Sequence, residues 1–140
     1  MSPCPHSIGQ EQTLETAHAM MRKWKIRHLP VLNAGRIVGL LSLRDLHLVE
    51  TLKDVDPSKV SVEDAMSPEP YMIDANADLR AVAIEMAMRK LGSALVVRSG
   101  KVVGIFTTTD ALRALFELLD AMDPTSARKA TSPAREETRS

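Results

Sequence analysis

Ile37-Val38-Gly39-Leu40-Leu41-Ser42-Leu43-Arg44-Asp45 is answered 65 residues later by Val102-Val103-Gly104-Ile105-Phe106-Thr107-Thr108-Thr109-Asp110. The same offset, with no gap, sets Ile8 on Ile73, Leu14 on Leu79, Met21 on Met86, Lys25 on Lys90, Val31 on Val96 and Gly35 on Gly100. With Val38/Val103, Gly39/Gly104 and Asp45/Asp110, nine identities fall between residues 6 and 50. Apolar positions also coincide throughout. An internal repeat dictates architecture, because each copy must fold the same way and bury its apolar face on the other. The expectation is one α+β domain made of two pseudo-symmetric βαββα halves.

Each half reads alike. A short extended piece at Ile8 or Tyr71–Ile73 precedes a helix over Gln12–Lys25 or Ala77–Lys90. Leu14, Ala17, Met21 and Trp24 share one helical face, as do Leu79, Val82, Ala83 and Met86. Asp78 suits the positive end of its helix. Leu29–Leu32 and Ala94–Val97 are unbroken apolar runs, as in strands buried on both faces. Asn33-Ala34-Gly35 and Arg98-Ser99-Gly100 supply turns. Gly39 and Gly104 interrupt the following strands, which signals a close approach of backbone or ligand. Ser42-x-x-Asp45 and Thr107-x-x-Asp110 have the spacing of a helix capping box. The last helix presents Leu112, Leu115, Phe116, Leu119 and Met122 on one side, more than one small sheet needs, so part of it is expected to pack on a second copy. Lys53–Ser67 reads as the link between halves, with Asp56-Pro57 and Ser67-Pro68 as turn signals. The expected divisions are a start without order over 1–5, one repeat over 6–60, a second over 61–123, and a tail without order over 124–140.

Composition removes several classes of function. The 18 basic and 18 acidic side chains cancel, which leaves no basic surface for a nucleic acid. Four aromatic residues are too few for a base-stacking platform. A single cysteine, Cys4, rules out an intramolecular disulfide and points to the cytoplasm. No apolar run reaches the roughly 20 residues of a membrane helix, and the start lacks the charge and apolar run of a signal peptide. Histidines 6, 18, 28 and 47 show no metal-binding spacing, so no metal site is expected. Cys4-Pro5-His6 is weak ground for a haem thiolate. No nucleophile motif or phosphate loop stands in the chain, so no catalytic residue is assigned. The methionines on the first helix of each half (Met20, Met21, Met86 and Met88) are expected to fill core.

His28-Leu29-Pro30-Val31, Gly35-Arg36-Ile37-Val38-Gly39 and Ser42-Leu43-Arg44-Asp45, with their partners 65 residues on, resemble the cystathionine-β-synthase (CBS) domain, which occurs in tandem pairs. Asp64-Ala65-Met66-Ser67 is similar to the lead-in of a second CBS repeat. The resemblance spans about residues 6–122. It implies a pair of packed sheets, two clefts that take adenosine-containing ligands such as AMP, ADP or ATP, a regulatory rather than catalytic role, association into a homodimer, and an output read by a separate, unidentified protein. No cofactor beyond the nucleotide is implied. The alternative under the same resemblance is a CBS pair without ligand, serving as a protein-interaction module.

The residues themselves make such a ligand sensible. A carboxylate can accept from two adjacent ribose hydroxyls, and a helix N-terminus favours phosphate. The resemblance then divides the site residues into two clefts. One combines Thr107, Thr109 and Asp110 with Ile8, Arg27, His28, Leu29 and Pro30. The other combines Ser42, Arg44 and Asp45 with Ile73, Gly92, Ser93 and Ala94. Arg27 and His28 face only Gly92 and Ser93 at the matching positions, so the Asp110 cleft is expected to be the better nucleotide site. Helix capping is the plainer role of both aspartates, and both roles are compatible.

Overall fold

Two hairpins set the geometry. The computed structural model describes residues 2–122. In chain order the elements are β1 (Ser2–Pro3), β2 (Ile8–Gly9), α1 (Leu14–Trp24), β3 (His28–Asn33), β4 (Arg36–Ser42), α2 (Leu43–Glu50), α3 (Val62–Ala65), β5 (Ser67–Pro68), β6 (Met72–Asp74), α4 (Leu79–Arg89), β7 (Ser93–Arg98), β8 (Lys101–Thr107) and α5 (Thr108–Met122). Ala34 and Gly35 both take positive φ (51° and 80°), as do Ser99 and Gly100 (51° and 78°). Two such residues in a two-residue loop match the right-handed twist of the strands they join. The hairpins β3–β4 and β7–β8 then share one register, each with an irregularity at the same place, Val31/Leu32 and Val96/Val97. The α+β fold of two alike halves is therefore present down to single backbone angles. Even the helix ends agree, with Lys25 and Lys90 left-handed at φ 54° and 55°. Those lysines stop α1 and α4 one residue before the expected ends.

The sheets run in the orders β2-β3-β4-β5 and β1-β8-β7-β6. Their outer strands are exchanged. Ser67–Pro68, which lead into the second half, pair antiparallel with β4 of the first. Ser2–Pro3, which lead into the first half, pair antiparallel with β8 of the second. The expected lack of order over 1–5 is thus corrected for Ser2–Pro3. Gly39 shows why that strand position carries glycine: a Cβ there would run into the Met66 side chain and lie 3.0 Å from the Ser67 carbonyl oxygen.

The expected boundary between residues 60 and 61 is not a boundary in packing. Val62 is fully buried with Leu14, Ala17, Leu41 and Leu46, and Val60, Ala65 and Met66 lie against the same cluster. Leu14 N–H donates to the Val60 carbonyl, and Val62 N–H donates to the Gln12 carbonyl. The link between the repeats, α3 included, closes the core of the first half. The tail expected over 124–140 lies outside the described residues.

Strand burial follows from two covered faces. Leu29, Val31 and Leu41 point to the helices, while Leu40, Leu95 and Ile105 meet between the two sheets with Ile37 and Val102. The second half has its own cluster of Val82, Met86, Ala94, Val96 and Phe106. Several expected core residues lie outside it. Leu79 and Ala83 are exposed, as is Met88. Trp24 is half-exposed and stacks on the His6 ring at 4.4 Å. No helix among the described residues is long and apolar enough to cross a membrane.

Candidate functional site

The capping boxes build the site floor. Asp45 Oδ2 accepts from Ser42 N–H at 2.8 Å, and Ser42 Oγ accepts from Asp45 N–H at 3.1 Å. At the matching place, Asp110 Oδ2 accepts from Thr107 N–H at 2.9 Å and from the Thr107 hydroxyl at 3.1 Å. Thr107 Oγ1 in turn accepts from Asp110 N–H at 3.2 Å. Each cap uses Oδ2 of its aspartate. Oδ1 of Asp110 faces the Arg113 guanidinium at 3.7 Å, a loose pair with a largely exposed arginine. Arg113 belongs to no motif in the sequence, and only its place one helical turn beyond Asp110 signals the contact.

Two clefts open above these caps. A cleft of about 900 Å³ is lined by Ser42, Arg44, Asp45, Gly92 and Ser93, together with Arg27 and His28. A second, of about 530 Å³, is lined by Thr107, Thr109, Asp110, Arg27 and His28, with Lys25 and Arg113 adding positive charge. Most of the expected residues are thereby brought together in the expected groups. Five are not on the cleft walls. Ile8, Leu29 and Ala94 are buried in the cores. Pro30 is buried and lines instead a smaller cavity of about 290 Å³. Ile73 packs on the second-half cluster. Strand alternation explains Leu29 and Ala94, which follow the lining residues His28 and Ser93 and point the other way.

Arg27, His28 and Gly92 line both clefts. Arg27 and Gly92 are equivalent by the 65-residue offset, and their carbonyls accept equivalent bonds, from Leu43 N–H at 2.8 Å and Thr108 N–H at 3.1 Å. A Cβ on Gly92 would meet nothing within 4 Å. The missing side chain leaves room between the clefts beside Arg27. Arg27 and His28, expected on the Asp110 cleft, thus border both clefts, and Arg44 lines the Asp45 cleft, where it was expected to add positive charge.

Burial lowers the His28 pKa, Asp45 and Asp110 oppose that shift, and Arg27 adds to it. His28 therefore lies in the field of both aspartates and favours the neutral imidazole. The structure also brings the N-terminal residues Cys4, Pro5 and His6 into the Asp110 cleft. Burial raises the Cys4 pKa, which keeps the thiol protonated and poorly nucleophilic.

The CBS domain family model matches residues 1–49 and 62–117, one stretch in each of the two halves that carry these capped aspartates. The chain belongs to the CBS-domain family. It is a CBS pair, a regulatory module. It is 28% identical over 111 residues to Hypoxic response protein 1 of Mycobacterium tuberculosis, covering 79% of this chain and 78% of that one. A crystal structure of Hypoxic Response Protein I with two coordinated zinc ions superposes with a TM-score of 0.65 at 26% identity, over 81% of this chain and 92% of that one. The CBS pair of protein MJ0100, in complex with 5-methylthioadenosine and S-adenosyl-L-methionine, has the same fold, with a TM-score of 0.67 at 24% identity, over 81% of this chain and 93% of that one. The inosine-5'-monophosphate dehydrogenase of Thermoplasma acidophilum is 32% identical over 108 residues, which are 76% of this chain but 21% of the enzyme. CBS pairs are thus also carried within enzymes.

Proposed function

We propose that this CBS pair is a sensor of adenine nucleotides, binding AMP or ATP in the Asp110 cleft first and in the Asp45 cleft second. The observation that carries the reading is the division of labour on Asp110, which is buried at 9% exposure. Its Oδ2 holds the cap, while Oδ1 has only a loose partner at 3.7 Å. Ribose hydroxyls can take that oxygen and release Arg113 toward phosphate. Thr109 stands at the second position of its helix, where backbone N–H groups lack intrahelical acceptors, so phosphate finds donors beside Lys25 and Arg27. Arg44 offers the same position in the Asp45 cleft. The MJ0100 complex supports the reading in that a CBS pair of this fold holds adenosine-containing ligands.

Because Arg27 and His28 border both clefts, phosphate bound in one neutralises charge offered to the other. The pair then passes its state through the shared wall and acts on a separate protein rather than on a substrate. Exposed α5, with Leu112, Leu115, Phe116 and Leu119 turned outward, is the face on which a second copy docks to form the homodimer.

Calorimetric titration of AMP and ATP into wild type, Asp110→Ala and Asp45→Ala tests the order of the sites. Asp110→Ala should remove the tighter binding event and Asp45→Ala the weaker. Equal losses, or none from either, overturn the assignment. Ligand at 100 times its Kd should also stabilise the wild type by about 2.7 kcal/mol.

A further inference from the structure

Folding assembles a group of ligands that sequence spacing hides. His18 lies on α1, while His47 and Glu50 lie three residues apart on α2 and so share one helical face. His18 Nδ1 is 2.9 Å from Glu50 Oε2. The rings of His18 and His47 meet edge-on, with centroids 6.1 Å apart. One ligand atom from each of the three residues falls within 4.8 Å of the other two, and among the described residues no other histidine, cysteine or acidic side chains form such a group.

We propose that His18, His47 and Glu50 form a binding site for a divalent transition-metal ion of the zinc class, which pins α1 to α2. Two imidazoles and one carboxylate are a donor set that suits zinc and its neighbours and gives little to magnesium or calcium. Zinc holds such donors at about 2.0–2.2 Å in a tetrahedron, which sets neighbouring donors roughly 3.3 Å apart. The His18–Glu50 separation of 2.9 Å lies just under that value, and the 4.8 Å limit on the trio lies above it. Small rotations of the exposed His47 and Glu50 side chains close the remainder. The ion takes the place of the proton that now bridges His18 and Glu50. Water fills the fourth position, because the site opens to solvent on the His47 and Glu50 side. The group is confined to the first half: Ala83, Leu112 and Leu115 stand at the positions 65 residues on, so a single ion per chain is implied.

The plainer account is an interhelical hydrogen bond with a histidine nearby. His47 separates the two, since it supplies a ligand but takes no part in the His18–Glu50 bond. The experiment is a titration of zinc chloride into the tag-free full chain at pH 7.5, read by competition with a chromogenic chelator and by thermal unfolding with zinc and after addition of EDTA. Wild type should bind one zinc per chain, with Tm rising on binding and returning with EDTA. His47→Ala should weaken zinc at least about tenfold, as loss of even an outer-shell partner does, and should abolish the rise in Tm while leaving Tm without metal unchanged. Glu50→Gln should also weaken zinc. Cys4→Ser with His6→Ala should leave binding intact. No zinc binding by wild type, or binding that survives in His47→Ala, overturns the proposal, as does loss of binding in the Cys4/His6 variant.

Discussion

Leu14 and Leu79 occupy the same place in the two halves, yet Leu14 is 0% exposed and Leu79 is 52% exposed. The difference lies in what each half has to cover its first helix. In the first half Val60, Val62, Ala65 and Met66 fold back on Leu14 and Leu46. Sixty-five residues on, the corresponding positions are Thr125, Ala127, Ala130 and Thr131. Those sequence positions carry no large apolar side chain. Among the described residues the first half is thus closed by its own link, whereas Leu79 and the apolar side chains along α5 stay exposed.

The pair Leu14→Ala and Leu79→Ala gives the most direct way to break this comparison. Leu14→Ala should cost about 2–5 kcal/mol, the transfer of a buried side chain plus the cavity left behind. Leu79→Ala, measured in dilute protein by denaturant unfolding, should cost about 0.5 kcal/mol or less, as surface changes do. Equal costs would mean that the two halves are covered alike. The effect on the second half should reappear in assembly. Phe116→Asp on the outward face of α5 should weaken the proposed homodimer by about 2 kcal/mol or more, which is roughly thirtyfold in Kd. Sedimentation velocity over a dilution series reads this shift, and a wild type that is monomeric at micromolar concentration would remove the proposed dimer.

Much of this was legible in the sequence, and the reasons for what was not are specific. The hairpins, the caps and the ungapped offset are local features, and local chemistry fixed them: Gly35 and Gly100 at the turns, Ser42 and Thr107 at the helix starts. The exchange of outer strands was also written in the chain, in Met1-Ser2-Pro3-x-Pro5 against Met66-Ser67-Pro68-x-Pro70 at the same offset. It lay in a stretch with no apolar periodicity, which reads as a start without order. Two-residue strands leave no periodic signal; here an edge strand is held by backbone bonds to β8. Face selection failed for another reason. Trp24 and Leu79 fit the helical period, but period alone says which side a residue takes, not whether anything lies opposite. In the clefts, Asp45, Asp110, Arg27 and His28 are legible from motif and resemblance, while Leu29 and Ala94 sit beside lining residues with their own side chains turned into the cores. The His18–His47–Glu50 group joins residues far apart in the chain and needed the packing of α1 on α2 to appear.

The smallest expected effect sharpens the comparison at the shared wall. Arg27-His28 in the first half stands where the second has Gly92-Ser93, so only one half brings a titrating group between the clefts. Burial, aided by Arg27, lowers the His28 pKa below its usual 6.5 despite the opposing pull of Asp45 and Asp110. The unfolded chain therefore binds a proton at His28 more readily than the folded one. Stability from this group is complete above pH 6.5 and declines as pH falls through 6.5 toward the lowered folded value, because protons favour the unfolded state there. His28→Gln should flatten that part of the pH profile, read as the difference between wild type and variant in urea unfolding from pH 7.5 to 5. A phosphate-bearing ligand changes the sign of the local field. With an anion beside the imidazole the charged form is favoured, His28 takes up a proton on binding, and saturating AMP should shrink the acid loss in wild type while leaving the variant's profile as it was. An acid loss that AMP leaves untouched would place the phosphate away from His28 and return the wall between the clefts to a purely structural role.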